Sequence, residues 1–214
     1  MRLILKQSML LSVTAVFGCL FAGARLSAQG SDLVTAAGAG DLARVRTLLE
    51  AKTDVNAKND AQYTALMLAS KNGRTEVVKL LLDAKADVNA RGGNDLNALL
   101  AACDGGHIDI VKLLLAARAD VNAGKLRLFR ADSGGNIAVV IGFTPLMVAS
   151  EEGHTDAVKL LLEAKANVNA KMTLSDGTSV EPLIKGFKDT AIKQASAKGH
   201  SEIVALLKAA GARE

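Results

Sequence analysis

The chain has 214 residues, half of them apolar and 22% charged, with 26 Lys and Arg against 22 Asp and Glu, two Cys and no Trp. That is ordinary globular composition and excludes a disordered, collagen-like or disulfide-stapled chain. The formal charge of +4 would favour a nucleic-acid partner only if the cations lay on the folded part of the molecule.

Arg2, Lys6 and Arg25 are the only charged residues among the first 28, and the 18 residues from Gln7 to Ala24 carry no charge. A short basic start, an apolar run from Met9 to Phe21 and the small-residue tail Leu26-Ser27-Ala28 read as an export signal peptide over residues 1–28, cut after Ala28. The alternative is an uncleaved anchor, since such a stretch just reaches the length of a bilayer span. Lipidation at Cys19 ranks below both, because Phe17 fits a lipoprotein box poorly and the apolar run continues past the cysteine. In either leading case the body of the chain is expected outside the cytoplasm, periplasmic or secreted. Without the leader 23 basic and 22 acidic residues remain, so the basic excess belongs mostly to the leader. Cys103 is then the one thiol left, and the fold must be held by packing rather than by a disulfide.

Internal repeats dominate the rest. Val55-Asn56-Ala57 recurs at residues 88–90, 121–123 and 168–170, in steps of 33, 33 and 47. A glycine recurs at Gly40, Gly73, Gly106, Gly153 and Gly199, in steps of 33, 33, 47 and 46, each followed by a leucine run. Two independent markers thus agree on five units with insertions before the fourth and fifth. The repeats fall at about residues 31–58, 59–91, 92–124, 125–171 and 172–214, and together with residues 29–30 they make one domain, 29–214.

Each unit predicts two short helices. In the second unit Leu66 and Ala69 share a face of the first helix, which Gly73 ends. Val77, Val78, Leu81 and Leu82 form the apolar face of the second, Glu76 to Ala84. Glu76, Asp109, Asp156 and Glu202 place acid at the positive end of the helix dipole. Helices of about two turns do not stand alone in water and must stack on one another.

These motifs resemble ankyrin repeats. Thr144-Pro145-Leu146-Met147-Val148-Ala149 is similar to the family's opening Thr-Pro-Leu-His-x-Ala, Gly153-His154 to its inter-helix Gly-His, and Lys159 to Leu162 with Ala166 to Asn169 to its close. The resemblance runs from about residue 32 to the C-terminus. It implies an all-α repeat solenoid of about five helix pairs, with fingers projecting at right angles and a concave face made by fingers and inner helices. Met67, Leu100, Met147 and Lys193 replace the family's histidine after Thr-Pro-Leu, so packing is expected to substitute for its hydrogen bond. Lys52, Lys85, Arg118 and Lys165 stand where the family often has glycine, which predicts a left-handed backbone at cationic residues.

No catalytic or metal site emerges. His107, His154 and His200 hold one repeat position about a repeat apart, each expected to cap locally beside its glycine rather than to bind zinc. Cys103 replaces the serine of Ser70, Ser150 and Ser196 and reads as a small packing residue, not a nucleophile. Gly38-Ala39-Gly40 lacks the third glycine and the strand of a dinucleotide site. Glu151 and Glu152 are adjacent and do not converge on a substrate. No cofactor is expected.

The two insertions, about 125–143 and 171–188, read as β-hairpin fingers. In the first, strand formers at Lys125–Ala131 and Ile137–Phe143 flank the turn Asp132 to Asn136. In the second, Lys171–Leu174 and Ser179–Glu181 flank Ser175 to Thr178, with Pro182 keeping the return arm at an edge. An isolated hairpin is marginal, so the two are expected to pair into a small sheet. Tyr63, Phe129, Phe143 and Phe187, the aromatics left after the leader, all lie in fingers or insertions. Two uses follow, mutual packing of the hairpins, with Ile141, and a partner-facing patch. Lys125, Arg127 and Arg130 interleave with Phe129, but export and near-neutral charge favour a solvated strand edge over nucleic acid. The inner-helix ends Lys71, Asn72, Asp104, Glu151, Glu152 and Lys198 form a second row whose sign changes along the stack.

The leading expectation is a monomeric, non-catalytic exported scaffold that binds a protein through fingers, hairpins and concave face. Its alternatives are a toxin-neutralising or enzyme-protecting partner, a ligand-binding or catalytic protein with a pocket beside the hairpin sheet, and a membrane-tethered spacer.

Overall fold

The computed structural model describes residues 30–130, 137–174 and 188–213, with the backbone alone for 127–130 and 137–139. The expected leader, Phe187 and the return arm of the second insertion lie outside the described residues. The order is five helix pairs: α1 (30–39) with α2 (Leu42–Glu50), α3 (Ala65–Lys71) with α4 (Thr75–Asp83), α5 (Ala98–Asp104) with α6 (Ile108–Ala116), α7 (Pro145–Glu152) with α8 (Thr155–Glu163), and α9 (Ala191–Lys198) with α10 (Ser201–Ala209). Inner helices α3, α5, α7 and α9 pack in succession, as do outer helices α2, α4, α6, α8 and α10. Each interface buries small residues, Ala65, Ala69, Ala102, Ala149 and Ala195, so the helices approach closely.

Local chemistry sets the helix ends. Thr64, Asn97, Thr144 and Thr190 accept from the backbone N–H of Met67, Leu100, Met147 and Lys193, which caps every inner helix from α3 onward. Met67, Leu100 and Met147 are fully buried, so packing does replace the family's histidine, whereas the Lys193 ammonium meets the Asp189 carboxylate at 3.0 Å. At the end of α4 the Lys85 N–H donates to Leu82 O and the Ala86 N–H to Leu81 O, with Lys85 at φ 65°. This left-handed Schellman ending recurs at Lys52, Arg118 and Lys165, as expected, and at Gly211. Leu82 differs from the predicted face in being only half-buried beside Val77, Val78 and Leu81.

Two ladders run along the stack. Asn56, Asn89, Asn122 and Asn169 each accept through Oδ1, at 2.8 Å, the backbone N–H of Asp87, Asp120, Asn167 and Arg213 in the next unit. The second ladder corrects the histidine reading. His107, His154 and His200 make no side-chain cap. Their Nε2 instead donates back one unit, to the carbonyls of Lys71 (3.0 Å), Asp104 (3.4 Å) and Glu151 (3.1 Å). The rings lie over the preceding glycines: a Cβ on Gly73, Gly106 or Gly153 would stand 2.7, 2.6 or 2.7 Å from them. Arg74 takes the same place above Gly40, its Nε donating to Gly38 O.

The fingers carry a three-stranded antiparallel sheet of order β1-β2-β3, with β1 at Lys125–Arg130, β2 at Ile137–Phe143 and β3 at Thr173–Leu174. The two arms of the first insertion pair antiparallel as expected, and the first arm of the second pairs beside them through Val140 with Leu174 and Ile141 with Thr173, while both expected turns lie outside the described residues. Register slips between Lys125 and Arg127, where Gly142 takes φ 86° and leaves an extra residue on β2. Gly124 faces it so closely that a Cβ there would be 2.6 Å from the Gly142 Cα. Val140, Phe143 and Met172 carry the sheet into the common core. The preceding finger holds a short 3-10 turn, Gly93–Asp95, which the sequence reading did not anticipate.

Candidate binding groove

Fingers and inner helices enclose a groove of about 380 Å³ on the concave side. Its finger wall is Tyr63, the turn at Gly93, Asn94 and Leu96, and the foot of the hairpin, Lys125 with Leu126 and Phe143. Its helix wall is Lys71 from α3, Ala101 and Asp104 from α5, and Val148, Glu151 and Glu152 from α7. Each polar group on that wall stands at or near the C-terminal end of its helix, because the inter-helix turn lifts the chain out of the stack there. Three neighbouring repeats therefore present a cation, an acid and an acid pair in order, about 10 Å apart per helix.

The structure gathers six of the expected residues here: Tyr63, Lys71, Asp104, Phe143, Glu151 and Glu152. Of the two uses expected for Phe143, packing is the one seen and the partner-facing one is corrected: at 3% exposure it belongs to the hydrophobic core and floors the groove. The Lys125 ammonium lies 5.5 Å from its ring centroid, a cation–π arrangement at the hairpin foot. Asn72 is exposed, but its Nδ2 donates to Gly38 O at 2.9 Å, so it ties unit two to unit one. Ile141 is half-buried in β2, opposite Thr173. Lys198 is exposed at the end of α9, beyond the groove lining. Arg127 and Phe129 lie in β1, their side chains outside the description, as is Phe187.

Sequence reasoning missed Asn94, Leu96, Lys125 and Leu126 as groove residues. Gly92-Gly93-Asn94-Asp95 departs from the repeat there, and Asn94 and Asp95 both take φ 57°. Arg91 holds this turn to the next finger, its Nη1 donating to Gly124 O at 2.9 Å and to Asp95 O at 3.4 Å.

Cys103 lies behind the groove on α5, fully buried, and burial, with a smaller push from Asp104, raises its thiol from 9.0 to about 12. It is a packing residue, protonated at neutral pH. Among the described residues no three of His, Cys, Asp and Glu come together as a metal set, and no helix is long and apolar enough to cross a membrane.

Stacked helix pairs with a fingered concave groove define a helical-repeat solenoid. A family model described as ankyrin repeats in three copies matches residues 33–125, and a second, a single ankyrin repeat, matches 141–173. The chain belongs to the ankyrin repeat family, whose members generally mediate protein–protein interaction and are typically non-catalytic. No curated protein matches the chain. Residues 126–140 lie between the two matched stretches, and their described parts, 126–130 and 137–140, belong to the paired strands β1 and β2.

Proposed function

We propose that this chain is an exported, non-catalytic scaffold whose groove and hairpin sheet hold one segment of a protein partner. The supporting observation is the groove itself, in which three fingers and three inner helices bring together the helix-end charges Lys71, Asp104, Glu151 and Glu152 with Tyr63, over a floor made by Phe143. Its polar groups are spread along successive helices rather than converging on one point, which suits an extended segment read by charge order more than a small substrate. A span of about 20 Å between the outer two helices fits roughly six extended residues.

Export rests on the pattern of residues 1–28. Cys103, the thiol that remains without the leader, is shut in the core, so an oxidising milieu would not reach it. N-terminal sequencing of the product from outside the cytoplasm should begin at Gln29; an intact Met1 would leave the tethered spacer in its place.

The groove is tested by crosslinked capture from that fraction. Asp104→Lys combined with Glu152→Lys, both exposed positions, should lose the partner captured by wild type. Asp83→Lys combined with Glu163→Lys, at the ends of outer helices, should retain it. Equal recovery by both pairs removes the groove from the function.

A further inference from the structure

The helix wall of the groove carries charge that the fold does not neutralise. Among the described residues, the side chains of Lys71, Asp104 and Glu152 are exposed and make no ion pair or hydrogen bond. Lys125 and Glu151 have partners within the chain and do not enter the balance. Two carboxylates therefore stand open on neighbouring helices, α5 and α7, and one ammonium a helix further along, on α3. Leu96 and Leu126, both half-buried, flank the floor made by Phe143 and Val148. The finger wall is set before any occupant arrives, since Gly92 N–H donates to Leu96 O at 2.7 Å and Arg91 ties the turn to Gly124 O at 2.9 Å. These bonds hold Asn94 and Asp95 both at φ 57°, a succession that side-chain-bearing residues do not adopt unaided, and strain held in this way accompanies preorganised binding walls.

We propose that the groove selects an extended partner segment in which one Lys or Arg stands next to apolar side chains, the cation between Asp104 and Glu152 and the apolar groups on Leu96, Leu126 and the floor. This rests on the scaffold reading above and adds the chemistry of the segment. The choice of occupant follows from charge. Neighbouring inner helices lie about 10 Å apart, so Asp104 and Glu152 flank a seat that one long cationic side chain spans. A segment of uniform positive charge meets Lys71 at the α3 end, where like charge opposes it. An acidic segment, or the phosphates of a nucleic acid, meets both open carboxylates. A single cation set among neutral residues avoids both conflicts, and its apolar neighbours find the half-buried leucines beside it.

The test titrates the full chain with two synthetic peptides with blocked ends, Ser-Leu-Lys-Leu-Ser and Ser-Leu-Glu-Leu-Ser, and follows backbone amide chemical shifts. The Lys peptide should shift amides across 94–96, 101–104 and 148–152 and bind about tenfold more tightly than the Glu peptide. Asp104→Asn with Glu152→Gln, two exposed positions, should abolish that preference, whereas Asp83→Asn with Glu163→Gln on the outer helices should leave it. Lys71→Gln should strengthen the Lys peptide about twofold by removing a like charge about 10 Å away. Replacing both leucines of the Lys peptide by serine should weaken it about tenfold. Unchanged shifts outside the groove certify that each variant is folded. Four results overturn the proposal: no shift at these amides, equal affinity for the Lys and Glu peptides, a preference that survives Asp104→Asn with Glu152→Gln, or a wild-type dimer whose interface already covers the groove. Equal affinity for the two peptides, with partner capture still lost in Asp104→Lys with Glu152→Lys, sinks this inference alone. Capture indifferent to those two positions, with the peptide preference intact, sinks only the scaffold reading.

Discussion

Lys52, Lys85, Arg118 and Lys165 hold φ between 59 and 65°, a conformation that costs a side-chain-bearing residue about 1–2 kcal/mol. Their charge at the helix C-terminus returns about 0.3–1 kcal/mol. After the entropy a glycine adds to the unfolded chain, Lys85→Gly should be neutral or stabilising by up to about 1 kcal/mol in thermal melts, and a clear loss would contradict the Schellman geometry. The inter-helix glycines separate two effects. Gly106→Ala meets both left-handed strain at φ 66° and the His154 ring, for a loss of about 2–5 kcal/mol. Gly199→Ala, at φ 79° with nothing within 4 Å, should lose only about 1–2 kcal/mol in the same denaturation series. The Cys103 thiol supplies a pH test. Because its folded value is raised, from 9.0 to about 12, the unfolded chain releases a proton in that window that the folded chain keeps, so stability falls as pH rises through it. Urea unfolding at about pH 8 and pH 10 should show wild type losing roughly 1 kcal/mol more than Cys103→Ala. At this scale the left-handed cations were legible, because the position after the second helix fixes the backbone whatever residue occupies it. The histidine's task was not, since its acceptor is a backbone carbonyl one repeat away that leaves no mark on the sequence.

The helix pairs follow from two signals that reinforce each other, a cap residue before each inner helix from α3 onward and a left-handed stop after each outer one. The hairpin depends on something narrower. Gly124 and Gly142 bring two backbones together at its foot, and the slipped register at Gly142 turns β2 so that Val140 and Phe143 enter the core. Gly124→Val should therefore destabilise the sheet by about 1–3 kcal/mol, read as faster amide exchange over 137–143 while α3 to α6 keep their protection. Equal loosening of both regions would mean that sheet and stack unfold as one unit. Strand formers around a turn made this hairpin legible, and the marginal stability of a lone hairpin made its pairing with the second insertion legible too. Which of its two expected uses Phe143 serves was not legible, because an aromatic in an insertion resembles surface until the bulge that directs it into the core is seen. The turn at Gly93–Asp95 escaped for a related reason, since consecutive left-handed residues at Asn94 and Asp95 depend on the Arg91 tie to the next finger.

Across the whole molecule, charge and shape change their meaning once the units are stacked. Three of the four excess charges lie in the first 28 residues, and what remains is arranged by position rather than by sum. Outer helices place Glu76, Asp109 and Asp156 beside Lys79, Lys112 and Lys159 in exposed pairs that contribute little. Inner helices instead order Lys71, Asp104, Glu151 and Glu152 along one groove, below the paired strands β1 and β2. The central claim, that this concave face takes a protein segment, is tested most directly by placing a photocrosslinking side chain at Asn94 in the groove and, separately, at Glu163 on the outer helices. The predicted result is a discrete protein adduct from Asn94 and none from Glu163; an adduct from Glu163 alone, or the same adduct from both, would contradict it.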